Sequence, residues 1–366
     1  MPLKLSQVYY LLFLLGGALF GCTPRSVTSV STTQTTEGYF TNPIAKGADP
    51  WIIKKDGFYY SCGAGKGGIY VAKSDKLTQV GERKTVWKAP EEGWNAYSVW
   101  APELHFLNGK WYIYYAAAKA PGKPFIHQRS GVLESVGQDP FGPYRDKGML
   151  YTGDSLQYTG SEPVWAIDVT ILPLNGSLYA VWSGWQKNAK TDATRQHLYM
   201  ARMNNPWTIG SNRVKISSPE ESWETGGPLD LQEGPQILKK NKKVFIIYST
   251  RESWLKEYRL GQLSLADSTL NPLEPKNWVK TGPVFQGTDQ VFGVGHPSFT
   301  TSADGTEDWI IYHAKISTQP GWARDIRLQK FTWDKKGNPV FGTPIPAGTP
   351  VKLPAGEGRK VHSCQD

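Results

Sequence analysis

Cysteine is scarce in this chain, with only three among 366 residues, at positions 22, 62 and 364. That excludes a disulfide framework, and the spacing lacks the Cys/His pairs of a zinc site. Cys62 and Cys364 are expected to stay unpaired. Long hydrophobic runs are missing too, since the run from Val8 to Phe20 falls short of the ~20 residues a helix needs to cross a bilayer core. Helical periodicity is nearly absent, which leaves an all-β chain. Charge of one sign is not concentrated. The net charge is +9, but the basic residues fall at turn-like places such as Lys54-Lys55, Lys239-Lys240 and Lys242-Lys243. They read as solvated loop charge, and no nucleic-acid partner is expected. A Gly-x-Gly-x-x-Gly string at Gly63–Gly68 is followed by IYVAKS, a strand and not the helix that would hold a pyrophosphate.

What the chain does contain is a repeat. Five times a turn dipeptide leads into an aromatic, β-branched strand: Asp56-Gly57 before FYY, Asn108-Gly109 before WYIYYA, Asn175-Gly176 before LYAVW, Lys240-Asn241 before VFIIYS and Asp304-Gly305 before WIIYHA. Such dipeptides favour two-residue hairpin loops. Their spacing of roughly fifty to seventy residues matches a four-stranded blade with its loops. The fifteen tryptophans and eighteen tyrosines suit sheets stacked face to face. The expected fold is a five-bladed β-propeller over residues 40–366. A two-sheet sandwich is the alternative, but it gives no reason for five similar hairpins. Asn175-Gly176-Ser177 fits a glycosylation acceptor, yet its place in a hairpin turn explains it.

Roughly seven to nine residues before each turn lie Asp49-Pro50, Ala101-Pro102-Glu103, Asp168-Val169, Glu233-Gly234-Pro235 and His296-Pro297. The innermost strands of a propeller converge on one axis, so these positions are expected to share a pocket. Asp49, Asp168 and Glu233 sit in apolar or Gly/Pro surroundings, where an unpaired ionised carboxylate is expensive. Their use in chemistry is the expectation. In order along the chain, GADPWI, SVWAPELHFLNGKWYIYYAA, AIDVTIL, QEGPQIL and GVGHPSF resemble glycoside hydrolase family 43, the five-bladed propeller arabinofuranosidases, xylosidases and arabinanases. That resemblance implies Asp49 as general base, Glu233 as general acid and Asp168 as the carboxylate that orients the acid and keeps its pKa high.

The resemblance further implies hydrolysis with inversion and no required cofactor. Its favoured activity is exo-acting α-L-arabinofuranosidase on plant arabinan or arabinoxylan side chains. A β-D-xylosidase, an endo-arabinanase and a non-catalytic glycan-binding propeller are the alternatives. His296 resembles the family's channel histidine, which in some members touches a calcium ion or water cluster at the axis. Trp51 and Trp100 flank the expected pocket and are candidates to stack on a sugar ring. Of Arg324 and Arg327 only one can face the channel, because strand side chains alternate; Arg324 is preferred.

The N-terminus, with Lys4, an apolar run and Gly21-Cys22, reads as a signal peptide over residues 1–21. Its Leu19-Phe20-Gly21-Cys22 resembles the lipobox of bacterial lipoproteins, with Phe20 a departure. Cys22 would then carry lipid. The Ser/Thr-rich residues 22–39 read as a tether, and the catalytic unit as a monomer in the cell envelope, held by lipid (at the outer membrane) or periplasmic. Its only membrane contact would be that lipid.

Overall fold

The computed structural model describes residues 38–65, 67–158 and 162–357. The expected signal peptide, Cys22 and Cys364 lie outside the described residues. So does the tether up to residue 37, while its expected end falls inside the strand Tyr39–Thr41.

Five antiparallel sheets follow one another along the chain, each beginning with the strand nearest the axis. These inner strands are Trp51–Lys55, Tyr97–Leu107, Ala166–Leu174, Gln232–Lys240 and Phe292–Thr301, in blades 1 to 5. Blade 5 has three strands of its own sequence, and its fourth is Ala45–Lys46, which pairs with Arg324–Trp333 through Ala45 opposite Ile326 and Lys46 opposite Asp325. A strand that precedes blade 1 therefore closes the ring on blade 5. This closing strand also delivers Asp49, three residues further on, beside Arg324.

The expected turns are largely present. In Asp56-Gly57, Asn108-Gly109 and Asn175-Gly176 both residues have positive φ, the backbone that matches strand twist in a two-residue hairpin. Two differ from expectation. In blade 4 the register places the turn at Asn241-Lys242, between Lys240 and Lys243, one residue later than expected. In blade 5, Thr301 pairs with Asp308, so Asp304-Gly305 belongs to a longer loop. Asp304 organises that loop by accepting from the Ser302 hydroxyl and the Thr306 N–H.

Apolar residues alternate so that each blade offers one face to each neighbour, and every junction has its own core. Trp182 and Tyr199 meet Tyr114 and Val132 between blades 3 and 2. Ile246 and Tyr248 meet Val181 and Met200 between blades 4 and 3. Phe245 and Ile247 meet Tyr312 and Ile310 between blades 4 and 5. Val71 meets Ile113 between blades 1 and 2, and Trp309 meets Tyr59 between blades 5 and 1. Each fully buried large side chain of this kind stabilises the fold by about 1.5–3 kcal/mol. The stacked faces hold the five inner strands rigidly around the axis.

Candidate active site

The chain bends at the same place in all five blades, within the inner strand in blades 2 to 5 and just before it in blade 1. The residue at the bend is Asp49, Ala101, Asp168, Gly234 or His296, with φ of 50°, 39°, 56°, 55° and 48°. In blades 2 to 5 the strand register breaks around it. A non-glycine residue in this left-handed region costs roughly 1–2 kcal/mol, and four at equivalent positions mark a constructed feature. The bend turns the side chain at its apex out of the ladder. Asp49, Ala101, Asp168 and His296 all line one cavity of about 510 Å³.

Glu233 lines the same cavity but stands one residue before the apex, so it is not the strict repeat equivalent of Asp49 that the sequence suggested. Gly234 holds the apex, and a Cβ there would approach His296 Nδ1 to 3.0 Å. A bare apex leaves room for the imidazole. The Gly234 N–H donates to Asp168 Oδ2 at 2.9 Å, tying Asp168 to the backbone beside Glu233.

The three carboxylates have different surroundings. Asp49 Oδ1 lies 3.3 Å from His313 Nδ1, 3.4 Å from His296 Nδ1 and 3.4 Å from Arg324 Nη1. Burial pushes this carboxyl up, but His296 and Arg324 outweigh it and hold Asp49 far below the usual carboxylate range. It is ionised. Burial raises Glu233 well above the ordinary range; the Tyr258 hydroxyl opposes this and the charge of Asp49 adds to it. Burial also raises Asp168, the His296 ring opposes, and the charge of Glu233 raises it further. Asp168 and Glu233 therefore titrate as a pair that resists double ionisation. One anionic carboxylate faces two that tend to keep a proton.

Trp100 lines the cavity and meets Phe125 edge-on at 4.9 Å. Trp165, Trp254 and Trp322 also line it, with Trp165 stacked at 4.5 Å and 4° on Trp185. Sequence reasoning missed these three tryptophans, Tyr258 and His313. Arg324 is at the site, whereas Arg327 is spent on Asp325 at 2.7 Å. Trp51 is not at the site. Its indole donates to the Leu104 carbonyl at 2.8 Å and its ring lies 4.5 Å from that of His105, between blades 1 and 2.

Trp51 belongs to a second tier, two residues beyond each bend: Trp51, Glu103, Thr170, Gln236 and Ser298. Gln236 Nε2 donates to Glu103 Oε1, and His105 Nε2 lies 2.9 Å from Glu103 Oε2. Burial raises Glu103 to about 8 and lowers His105 to about 3, so this contact is a neutral hydrogen bond at neutral pH. Calcium prefers six to eight oxygen ligands, carboxylates above all. The one carboxyl of this tier has both oxygens engaged, and among the described residues no group of three His, Cys, Asp or Glu is placed to hold a metal. These residues do not fit a protein-built calcium cage.

The model of glycosyl hydrolases family 43 matches residues 40–339. The chain belongs to that family. Within it, the chain is 35% identical to an extracellular exo-α-(1→5)-L-arabinofuranosidase of Streptomyces avermitilis, over 90% of this chain and 68% of that protein. It is 33% identical to an enzyme of the same name from Streptomyces chartreusis, over 75% of this chain and 82% of that one. The crystal structure of an α-L-arabinofuranosidase from Lactobacillus brevis is similar with a TM-score of 0.75 and 30% identity, covering 84% of this chain and 98% of that one. This family 43 propeller is thus a glycosidase, and its cavity at the mouth of the axis is the candidate active site.

Proposed function

We propose that the protein is an exo-acting, inverting α-L-arabinofuranosidase that removes single arabinofuranose units from plant arabinan or arabinoxylan side chains. What supports this reading is the asymmetry of the carboxylates: Asp49 sits 3.4 Å from His296 and Arg324, which favour its anion, and burial in the same cavity pushes Glu233 towards its protonated form. Inverting hydrolysis needs that division. A base carboxylate takes a proton from water as the water attacks the anomeric carbon, and an acid on the other side of the sugar protonates the departing oxygen. Asp49 is the base and Glu233 the acid. Asp168, fixed by the Gly234 N–H, holds the acid in place and favours its protonated form. These steps require no cofactor.

Loops of four blades wall the cavity, with Phe125, Asp192, Trp254 and Trp322 among the residues they contribute. Such a wall favours a chain end over the middle of a polymer, and the names of the two Streptomyces relatives point the same way. The test is an assay on aryl α-L-arabinofuranoside, aryl β-D-xyloside and linear arabinan, with proton NMR of the first-formed sugar. The expected results are release of monomeric arabinose from the first and third, and an anomeric configuration opposite to that of the substrate. Preferential cleavage of the xyloside, oligosaccharides as the first products, or a retained configuration would each overturn the corresponding part of the proposal.

The enzyme is proposed to be exported and lipid-anchored at Cys22 as a monomer, its site being built by one chain. Cys22→Ala is then expected to leave the membrane fraction while keeping full specific activity. Membrane association that survives in this variant after a salt wash would remove the anchor.

A further inference from the structure

Tyr258 is fully buried at the foot of the site, and the hydrolytic reading above gives it no role. Its hydroxyl donates to Glu233 Oε1 at 2.9 Å. Its ring lies nearly parallel to that of His313, at 5.4 Å and 11°, and His313 Nδ1 accepts the Asp49 backbone N–H at 3.1 Å. The ring thus spans from the acid to the group that seats the base. Room for it comes from Gly295, where any Cβ would overlap the Tyr258 ring.

The phenol keeps its proton, because burial and the charge of Glu233 push it well above its ordinary range. A permanent donor on Oε1 has a consequence for the acid. A carboxyl oxygen that accepts this bond is the poorer place for the carboxyl's own hydrogen, and among the described residues no hydrogen bond engages Oε2. We propose that Tyr258 is a positioning residue that fixes the acid proton of Glu233 on Oε2, the oxygen left free to protonate the leaving group, and that Gly295 is retained to admit its ring. The inference rests on Glu233 being the general acid.

The titratable and charged groups around Glu233 are Asp49 from the segment before blade 1, Asp168 from blade 3, Glu252 and Tyr258 from blade 4, and His296 and Arg324 from blade 5. Tyr258→Phe changes only one of them and keeps the ring. Donation by the hydroxyl favours ionised Glu233, so its removal raises the pKa of the acid. The basic limb of the kcat profile should therefore move up by roughly half a unit to one unit. At the optimum, kcat on a substrate with an alkoxide leaving group should fall roughly tenfold with KM little changed. In a Glu233→Gln background the same substitution should add almost nothing. Gly295→Ala reaches the same hydroxyl by displacing the ring and should move the limb in the same direction. A limb that stays in place in both variants, or a full additive loss in the double variant, overturns the role of Tyr258. The acid assignment is read separately: if Glu233→Gln alone fails to discriminate between leaving groups, it is that reading which falls.

Discussion

Asp49→Asn is expected to lower kcat by about 10²–10⁴-fold on every substrate, whatever its leaving group. Water must be deprotonated in each case, and an amide cannot accept its proton. The substitution also removes the anion that His296 and Arg324 face at 3.4 Å, so these partners lose their common acceptor. The fold should persist, because the side chain is partly open to the cavity and belongs to no blade core. Rates are to be compared for an aryl arabinofuranoside bearing dinitrophenolate and for an arabino-oligosaccharide, with circular dichroism as the check on folding. A folded variant with near-normal turnover on the oligosaccharide would remove Asp49 from the reaction.

Glu233→Gln should behave differently. Its loss should cost about 10²–10⁴-fold on the oligosaccharide, whose alkoxide needs a proton to depart, and far less on the dinitrophenyl glycoside, which leaves unaided. The ratio of the two rates is the diagnostic. The basic limb of the pH profile should also flatten on the good leaving group, since that limb reports deprotonation of the buried acid raised by burial. If Glu233→Gln slowed both substrates equally while Asp49→Asn discriminated between them, the two roles would have to be exchanged.

The two carboxylates were both legible in the sequence, but for different reasons. Asp49, Asp168 and His296 occupy the repeated bend and are found by aligning the five hairpins. Glu233 was found by the same alignment even though Gly234 holds the true equivalent position. An alignment of short words tolerates one residue of slip; a strand does not, since a shift of one turns a side chain to the other face. What rescues Glu233 is the bulge, which relaxes alternation at that point.

Trp51 failed for a related reason. It is two residues past Asp49 and so remains on the axial side, but the bend lifts Asp49 into the cavity and leaves Trp51 in the tier below, against His105. Position along the axis is not written in alternation. Tyr258 and His313 were invisible because one ends the loop before the third strand of blade 4 and the other lies on the second strand of blade 5, and Tyr258 reaches the site only through Gly295, whose missing side chain makes the space.

The sequence by itself determined the number of blades, three of the five hairpin turns and, to within one residue, the five axial positions, because turn chemistry and strand period are local and recur. Only the tertiary structure decided which carboxylate is anionic and which keeps its proton. Those states depend on the closing strand bringing Asp49 to Arg324 and on burial of Glu233 under Tyr258. These are distances between segments far apart in the chain, set by how the blades pack around the axis and not by any residue's neighbours in sequence.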